Sequence, residues 1–146
     1  MNADIVKLRE ETGAGVMECK RALEEAKGDF AKAVQVIHAA GASRAEKKKE
    51  RKTGAGLLYS YIHNNRVGVL LEIRCETDFV AKSDPFQDLA KDVAFQIAAM
   101  GANDVSELLE QSFIKDESLK ISDVVNQTLG KVGENIKIER FARFEI

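Results

Sequence analysis

The strongest alternation in the chain runs from Val69 to Glu76. Val69, Leu71, Ile73 and Cys75 fall on one side, and Glu72, Arg74 and Glu76 on the other. A period of two with one apolar and one charged side predicts a strand of an antiparallel sheet covered on a single face. Leu57 to His63, rich in Leu, Tyr and Ile, predicts a partner strand. Asn64-Asn65-Arg66 predicts the turn between the two, because Asn tolerates left-handed backbone. Ile136 and Ile138 start a third strand that continues through Phe141, Phe144 and Ile146. Its alternation slips between Ile138 and Phe141, which predicts a bulge. This strand must pair with one of the first two, so the pattern predicts a three-stranded antiparallel sheet with helices on one face.

Elsewhere the apolar period is helical. Asp84-Pro85 starts a long helix, with Asp as cap, Pro at the first helical position and Gln87 reaching back as in a capping box. Phe86, Leu89, Ala90, Val93, Ala94, Ile97 and Ala98 form its stripe, and Gly101 ends it. A short helix is expected over 104–110 and a connector over 111–120, with Phe113 and Ile114 pinned to the core. A last helix capped by Ser122 uses Val124, Val125 and Leu129 and ends by Gly133. At the other end of the chain, Asn2 caps a helix carrying Ile5, Val6 and Leu8, which Thr12-Gly13-Ala14-Gly15 terminates. A second carries Val16, Cys19, Leu23 and Ala26 and stops at Gly28. A third, capped by Asp29, carries Phe30, Ala33, Val34 and Ile37 and is expected to end at Gly41.

Between these two regions Ser43 to Lys52 has almost nothing to bury and reads as a solvated helical linker. Its lysines could neutralise phosphates, but Glu46 and Glu50 dilute them and no aromatic residue is interleaved to stack on bases. The chain therefore divides into a three-helix bundle over 1–41, a charged linker over 42–54 and an α+β unit over 55–146.

Composition narrows the function by exclusion. A net charge of −2 points neither to nucleic acid nor to an anionic membrane, and no apolar run is long enough to span a bilayer. Cys19 and Cys75 make no disulfide framework, and no charged-then-apolar leader opens the chain, so a cytoplasmic protein is expected. Cys19, His38, His63 and Cys75 have no zinc-site spacing, and no metal or cofactor is expected. Gly54-Ala55-Gly56 lacks the Lys-Ser/Thr of a phosphate loop, and no Ser, His and Asp group as a triad, so the chain is not expected to be an enzyme.

One stretch does not fit a plain scaffold. Thr77-Asp78-Phe79-Val80-Ala81-Lys82 lies in the turn where the chain leaves the sheet, and a large ring beside a carboxylate is unusual there. Phe79 is either tucked under its own loop or meant for another surface.

Longer motifs choose between these. Leu8 to Leu23, which includes Glu11-Thr12-Gly13-Ala14-Gly15-Val16-Met17, resembles the start of the translation elongation factor Ts family. Cys75-Glu76-Thr77-Asp78-Phe79-Val80-Ala81-Lys82 resembles its core signature; Gly133-Glu134-Asn135-Ile136 and Arg140-Phe141-Ala142-Arg143-Phe144 are similar to its C-terminal motifs, in the same order. The resemblance implies an α+β fold: a ubiquitin-associated-like bundle, a helical linker, and a dimerisation core. It also implies a guanine-nucleotide exchange factor for elongation factor Tu, in its GDP-bound and nucleotide-free forms. In that family Asp78 and Phe79, flanked by Thr77 and Val80, would enter the GTPase domain and disturb the magnesium and phosphate site. Val16 and Met17, with Leu8, would make the N-terminal contact. A noncovalent homodimer is implied, in a two-plus-two complex; Ala142 excludes a disulfide at that point. The connection at Gly101-Ala102-Asn103-Asp104 is shorter than in many members. A protein-interaction module without exchange activity, and a ribosome-associated RNA binder acting through Lys47 to Lys52, are the alternatives.

Overall fold

The alternating segment is the middle strand of the sheet. In a computed structural model that describes residues 2–146, β2 (Val67–Cys75) lies between β1 (Ala55–His63) and β5 (Lys137–Glu145), antiparallel to both. Asn64 and Asn65 turn the chain between β1 and β2 at φ 50° and 59°, the left-handed geometry expected of them. On the other side Glu72 pairs with Arg140 and Ile73 with Ile138, so Glu139 is the extra residue of the predicted bulge. Gly54-Ala55-Gly56 opens β1 and forms no phosphate loop. Gly56 sits at φ 149°, and a Cβ there would collide with the Ile73 carbonyl of β2.

Helices cover one face only. Val69, Leu71, Ile73 and Cys75 of β2 are buried in one core with Phe86, Leu89, Ala90, Val93, Ala94 and Ile97 of α5 (Asp84–Met100). The short α4 (Asp78–Ala81) lies between them in sequence, and α6 (Val105–Glu110) and α7 (Ile121–Val132) follow α5 and complete the layer. On the opposite face Leu58, Ile62, Leu70 and Phe144 are exposed.

The N-terminal bundle has a second core. Within α1 (Ala3–Thr12), α2 (Val16–Glu25) and α3 (Phe30–Lys48), Leu8, Cys19, Ala22, Leu23, Ala26, Ala33 and Ile37 pack together. The expected caps are present: Asn2 Oδ1 accepts from Asp4 N at 3.0 Å and Asp29 Oδ1 from Lys32 N at 3.1 Å.

Four boundaries differ from the sequence reading. The third helix does not end at Gly41 but runs to Lys48. A glycine inside a helix costs only about 1 kcal/mol relative to alanine, and docking offsets it. Ala45 packs on the larger core, Arg44 meets Glu18 at 2.6 Å, and Lys48 Nζ donates to Gly133 O at 2.9 Å. The charged stretch is thus helical as expected, but one side of it is docked rather than solvated. At the start of α5, Ser83 and not Asp84 holds the cap position. Its hydroxyl donates back to Val80 O at 2.6 Å, and Gln87 Nε2 donates to Ala81 O at 2.8 Å instead of closing a capping box.

The stretch read as a connector is a hairpin, β3 (Ser112–Phe113) with β4 (Asp116–Lys120). Finally, α7 begins one residue before Ser122, and Asp123 performs the capping: its carboxylate accepts from Lys120 N at 2.9 Å.

The hairpin is fastened by a polar residue inside the apolar stripe of α5. Gln96 is fully buried; its Oε1 accepts from Ile114 N at 3.0 Å, and its Nε2 donates to Ser112 O at 3.0 Å and Gln111 Oε1 at 3.2 Å. A buried amide in this position specifies the hairpin by satisfying its backbone. Replacing Gln96 with Leu leaves those backbone groups unpaired, at about 1–3 kcal/mol each. Urea denaturation of Gln96→Leu should show a lower midpoint with an unchanged slope.

Candidate functional site

The stretch singled out by its phenylalanine forms a single helical turn at the end of the central strand. Thr77 caps α4 with extended backbone, and its Oγ1 accepts from Val80 N at 3.3 Å. In one turn of helix, neighbouring positions point in different directions. Val80 and Ala81 are buried in the sheet core at 5 % and 6 % exposure, and Asp78 and Phe79 face out. Phe79 is 86 % exposed, so it is not tucked under its own loop. Packing of the two small residues below is what holds the ring above.

Beneath the turn lies Cys75. Its Sγ donates to Thr77 O at 3.2 Å, and burial, followed by the nearby Glu134 carboxylate, pushes its thiol above the ordinary range. A raised thiol is a poor nucleophile, so Cys75 serves packing. Beside the turn stands Glu134, just beyond α7. Its carboxylate accepts from Glu76 N, Thr77 N and Thr77 Oγ1 at 3.1, 2.9 and 2.8 Å. In return Glu76 Oε2 accepts from Asn135 N at 2.6 Å.

The other candidate residues separate into surface and core. Val16 and Met17, at the start of α2, are 37 % and 60 % exposed. Leu8 is corrected: it is completely buried in the bundle core, where its helical stripe places it, and it has no surface to offer a partner. Val80 is corrected likewise from contact to anchor. Thr77 is exposed, but its hydroxyl is engaged by Glu134 and by the cap.

The four residues weighed as a zinc set are not brought together. Cys19 and Cys75 lie in different cores, His38 Nε2 pairs with Gln127 Nε2 at 3.1 Å, and His63 Nδ1 with the Tyr61 hydroxyl at 2.9 Å. Among the described residues no group of three His, Cys, Asp or Glu side chains is placed to hold a metal, and no helix is long and apolar enough to cross a membrane. In the basic stretch, Lys49 lies 3.7 Å from Glu46 and Arg51 lies 3.8 Å from Glu76, so part of its charge is answered within the chain.

The sequence is similar to known proteins over nearly its whole length. The family described as Elongation factor TS matches residues 76–146, which begin at the anchored turn and take in Glu134 and β5. "Elongation factor Ts" of Thermotoga neapolitana is 41% identical over 186 residues, covering 97% of this chain and 94% of its own length. "Elongation factor Ts, chloroplastic" of Cyanidioschyzon merolae is 41% identical, covering 96% and 90%. The Fervidobacterium nodosum "Elongation factor Ts" is 39% identical, covering 100% and 98%. The chain belongs to the elongation factor Ts family.

This chain is shorter than the Thermotoga relative. The Thermotoga comparison extends over 186 positions and the chain has 146 residues, so the relative carries residues with no counterpart here. The oddity of the ring and the elongation factor Ts motif single out Asp78 and Phe79 in the sequence. Glu134 stands in the sequence within Gly133-Glu134-Asn135-Ile136. A carboxylate directly after a helix-stopping glycine was the signal available, and nothing in the sequence said which backbone it would reach.

The state of Cys75 is measurable. Its folded thiol ionises later than an unfolded thiol, so its contribution to stability is intact below the ordinary value of 9.0 and is lost as pH rises through the raised folded value. Native protein should be alkylated at Cys75 at least about tenfold more slowly than protein in urea, and stability should fall as pH is taken above 9.0. Mass spectrometry of iodoacetamide-treated protein and alkaline denaturation curves read the two effects.

Proposed function

We propose that this chain is a guanine-nucleotide exchange factor for elongation factor Tu, acting in the cytoplasm during translation elongation. The observation that carries the reading is Phe79, 86 % exposed on a turn whose other half is buried, in a chain of the elongation factor Ts family. The factor performs no bond chemistry. Asp78 and Phe79 enter the partner's GTPase domain as a wedge, and Val16 and Met17 make a second contact from the bundle, which we read as ubiquitin-associated-like. The two cores support a division into a bundle and an exchange core joined by the 42–54 segment.

Linkage does the rest. A factor that binds the form of the GTPase holding GDP poorly must itself be bound poorly when GDP is present. Magnesium requires near-ideal octahedral geometry, so displacing its surroundings weakens the phosphate site. The ring supplies free energy for this: burying a Phe contributes about 1.5–3 kcal/mol, or roughly ten- to a hundredfold in an equilibrium. Lys48 and Arg51 already have partners in the fold, which supports a protein partner over an RNA one.

The exposed face of the sheet supports a noncovalent homodimer. Ile62, Gly68 and Phe144 stand in one row across the three strands, and Ser60, Leu70 and Ala142 in the next. Ile62, Leu70 and Phe144 are 62 %, 49 % and 77 % exposed, an apolar patch that a second copy would cover. Two chains would then serve two GTPases.

Two experiments test these statements. Release of labelled GDP from elongation factor Tu should accelerate with this protein and lose about tenfold or more of that acceleration with Phe79→Ala; unchanged release by the variant would refute the wedge. Sedimentation should show a dimer for the parent chain and a monomer for Ile62→Lys/Phe144→Lys, with the circular dichroism spectrum preserved.

A further inference from the structure

The single turn that carries Asp78 and Phe79 cannot orient itself. It is four residues long, and a first helical turn fixes several dihedrals for very little hydrogen bonding. Its one side-chain cap, Thr77 Oγ1 to Val80 N, is long at 3.3 Å. Phe79, with its ring in solvent, contributes nothing to its own placement. Val80 and Ala81 fix the inner half of the turn, but the entering backbone needs a separate restraint.

That restraint comes from a segment 57 residues further along the chain. Gly133 ends α7 at φ 76°, a left-handed geometry that reverses the chain and sends Glu134 toward the end of β2. There Glu134 Oε1 accepts two consecutive backbone amides, Glu76 N and Thr77 N, and Oε2 accepts the Thr77 hydroxyl. Hydrogen bonds to an ionised carboxylate are roughly twice as strong as neutral ones. The hydroxyl can donate to Glu134 and still accept from Val80 N, so one side chain passes the restraint into the turn. Asn135 N donates to Glu76 Oε2 at 2.6 Å, which makes the clasp reciprocal. Asn135 Nδ2 donates to Arg51 O at 2.9 Å and Lys49 O at 3.4 Å, which ties the end of the charged segment to the same point. Arg51, 3.8 Å from Glu76, partly offsets the two adjacent carboxylates.

We propose that Glu134 is a positioning residue for exchange: its carboxylate holds the Glu76–Thr77 backbone and the Thr77 hydroxyl so that α4 presents Asp78 and Phe79 in one orientation. This rests on the reading of those two residues as the wedge. Glu134 acts through Thr77 and the backbone and itself enters no partner. The turn is preorganised in the free protein, so binding does not have to order it.

The test uses the full chain as parent, Glu134→Ala, Glu134→Gln, Phe79→Ala and the double variant Glu134→Ala/Phe79→Ala. In the free protein, hydrogen exchange at the Glu76, Thr77 and Val80 amides should speed up about tenfold or more in Glu134→Ala, with the amides of α5 unchanged. GDP release from elongation factor Tu should slow by a similar factor. Glu134→Gln should retain most of the activity, because its amide oxygen can still accept from both backbone N–H groups. The double variant should be slowed by clearly less than the product of the two single effects, since with the ring gone only Asp78 is left to misplace.

Unchanged amide protection in Glu134→Ala overturns the clasp whatever the release assay gives. Full release activity in Glu134→Ala, with Phe79→Ala impaired, overturns the positioning role. A double variant slowed by the full product of the two single effects shows a general structural loss and also overturns it. Lost protection combined with unimpaired release by Phe79→Ala overturns the wedge reading and leaves the clasp standing.

Discussion

The contact between β2 and α5 is the constraint from which the rest of the molecule follows. Val69, Leu71, Ile73 and Cys75 present one apolar face, and Phe86, Leu89, Ala90, Val93 and Ile97 cover it. Because the side-chain period of a strand is two, this burial fixes the register of β2 and so assigns its remaining residues to the open face. It also fixes where the strand ends. Cys75 is the last inward residue, and from there the chain has eight residues in which to reach the start of α5. A single turn with its small residues inward is the economical path, and it leaves two residues pointing away from the core.

Two groups of exposed apolar residues on this chain are of that derived kind. The ring of Phe79 is outside because Val80 and Ala81 are inside, and Ile62, Leu70 and Phe144 are outside because the alternate positions of their strands are inside. Geometry explains which positions face out but not why they are apolar. Polar residues at those places would keep the same core, so the fold does not require their hydrophobicity, and the proposed wedge and dimer contacts account for it. Isolated apolar side chains on a surface are ordinary; a ring on an anchored turn and three side chains across adjacent strands are more concentrated than that.

What could be read in the sequence was whatever a local period or a cap states outright. The β2 alternation, the bulge near Glu139, the α5 stripe and the Asn64-Asn65 turn were all legible, because each is enforced by a few neighbouring residues. The helical extension past Gly41 was not, since it depends on Arg44, Ala45 and Lys48 meeting residues far along the chain. The 112–120 hairpin was missed because its strands are short and its anchor, Gln96, looks like a polar flaw in a helix stripe. At the site the same division holds. Asp78 and Phe79 were visible as an odd local choice. Leu8 and Val80 read as partner contacts from the motifs, yet both are buried, and Glu134 meets its backbone partners across 57 residues of chain that no local pattern spans.

The elongation factor Ts relatives carry residues that this chain lacks, yet the core here is closed. At the end of α5, Gly101 takes left-handed geometry, and the Arg143 guanidinium from β5 donates to Ala98 O through Nη2 at 3.0 Å and Nε at 3.3 Å, satisfying a carbonyl that the helix leaves unpaired. A few residues later the hairpin is fastened by Gln96, and Leu108 and Phe113 are buried with the same core. The route from α5 to α7 therefore leaves no open seam in the layer behind the sheet. Because Glu134 follows α7 directly, that route also decides where its carboxylate arrives. A connection of different length is tolerable only if it returns α7 to the same place, since Glu76 and Thr77 take their backbone partners from its end. The end of α7 and the turn carrying the exposed ring are thus tied directly, since Glu134 pairs with the backbone that enters the turn.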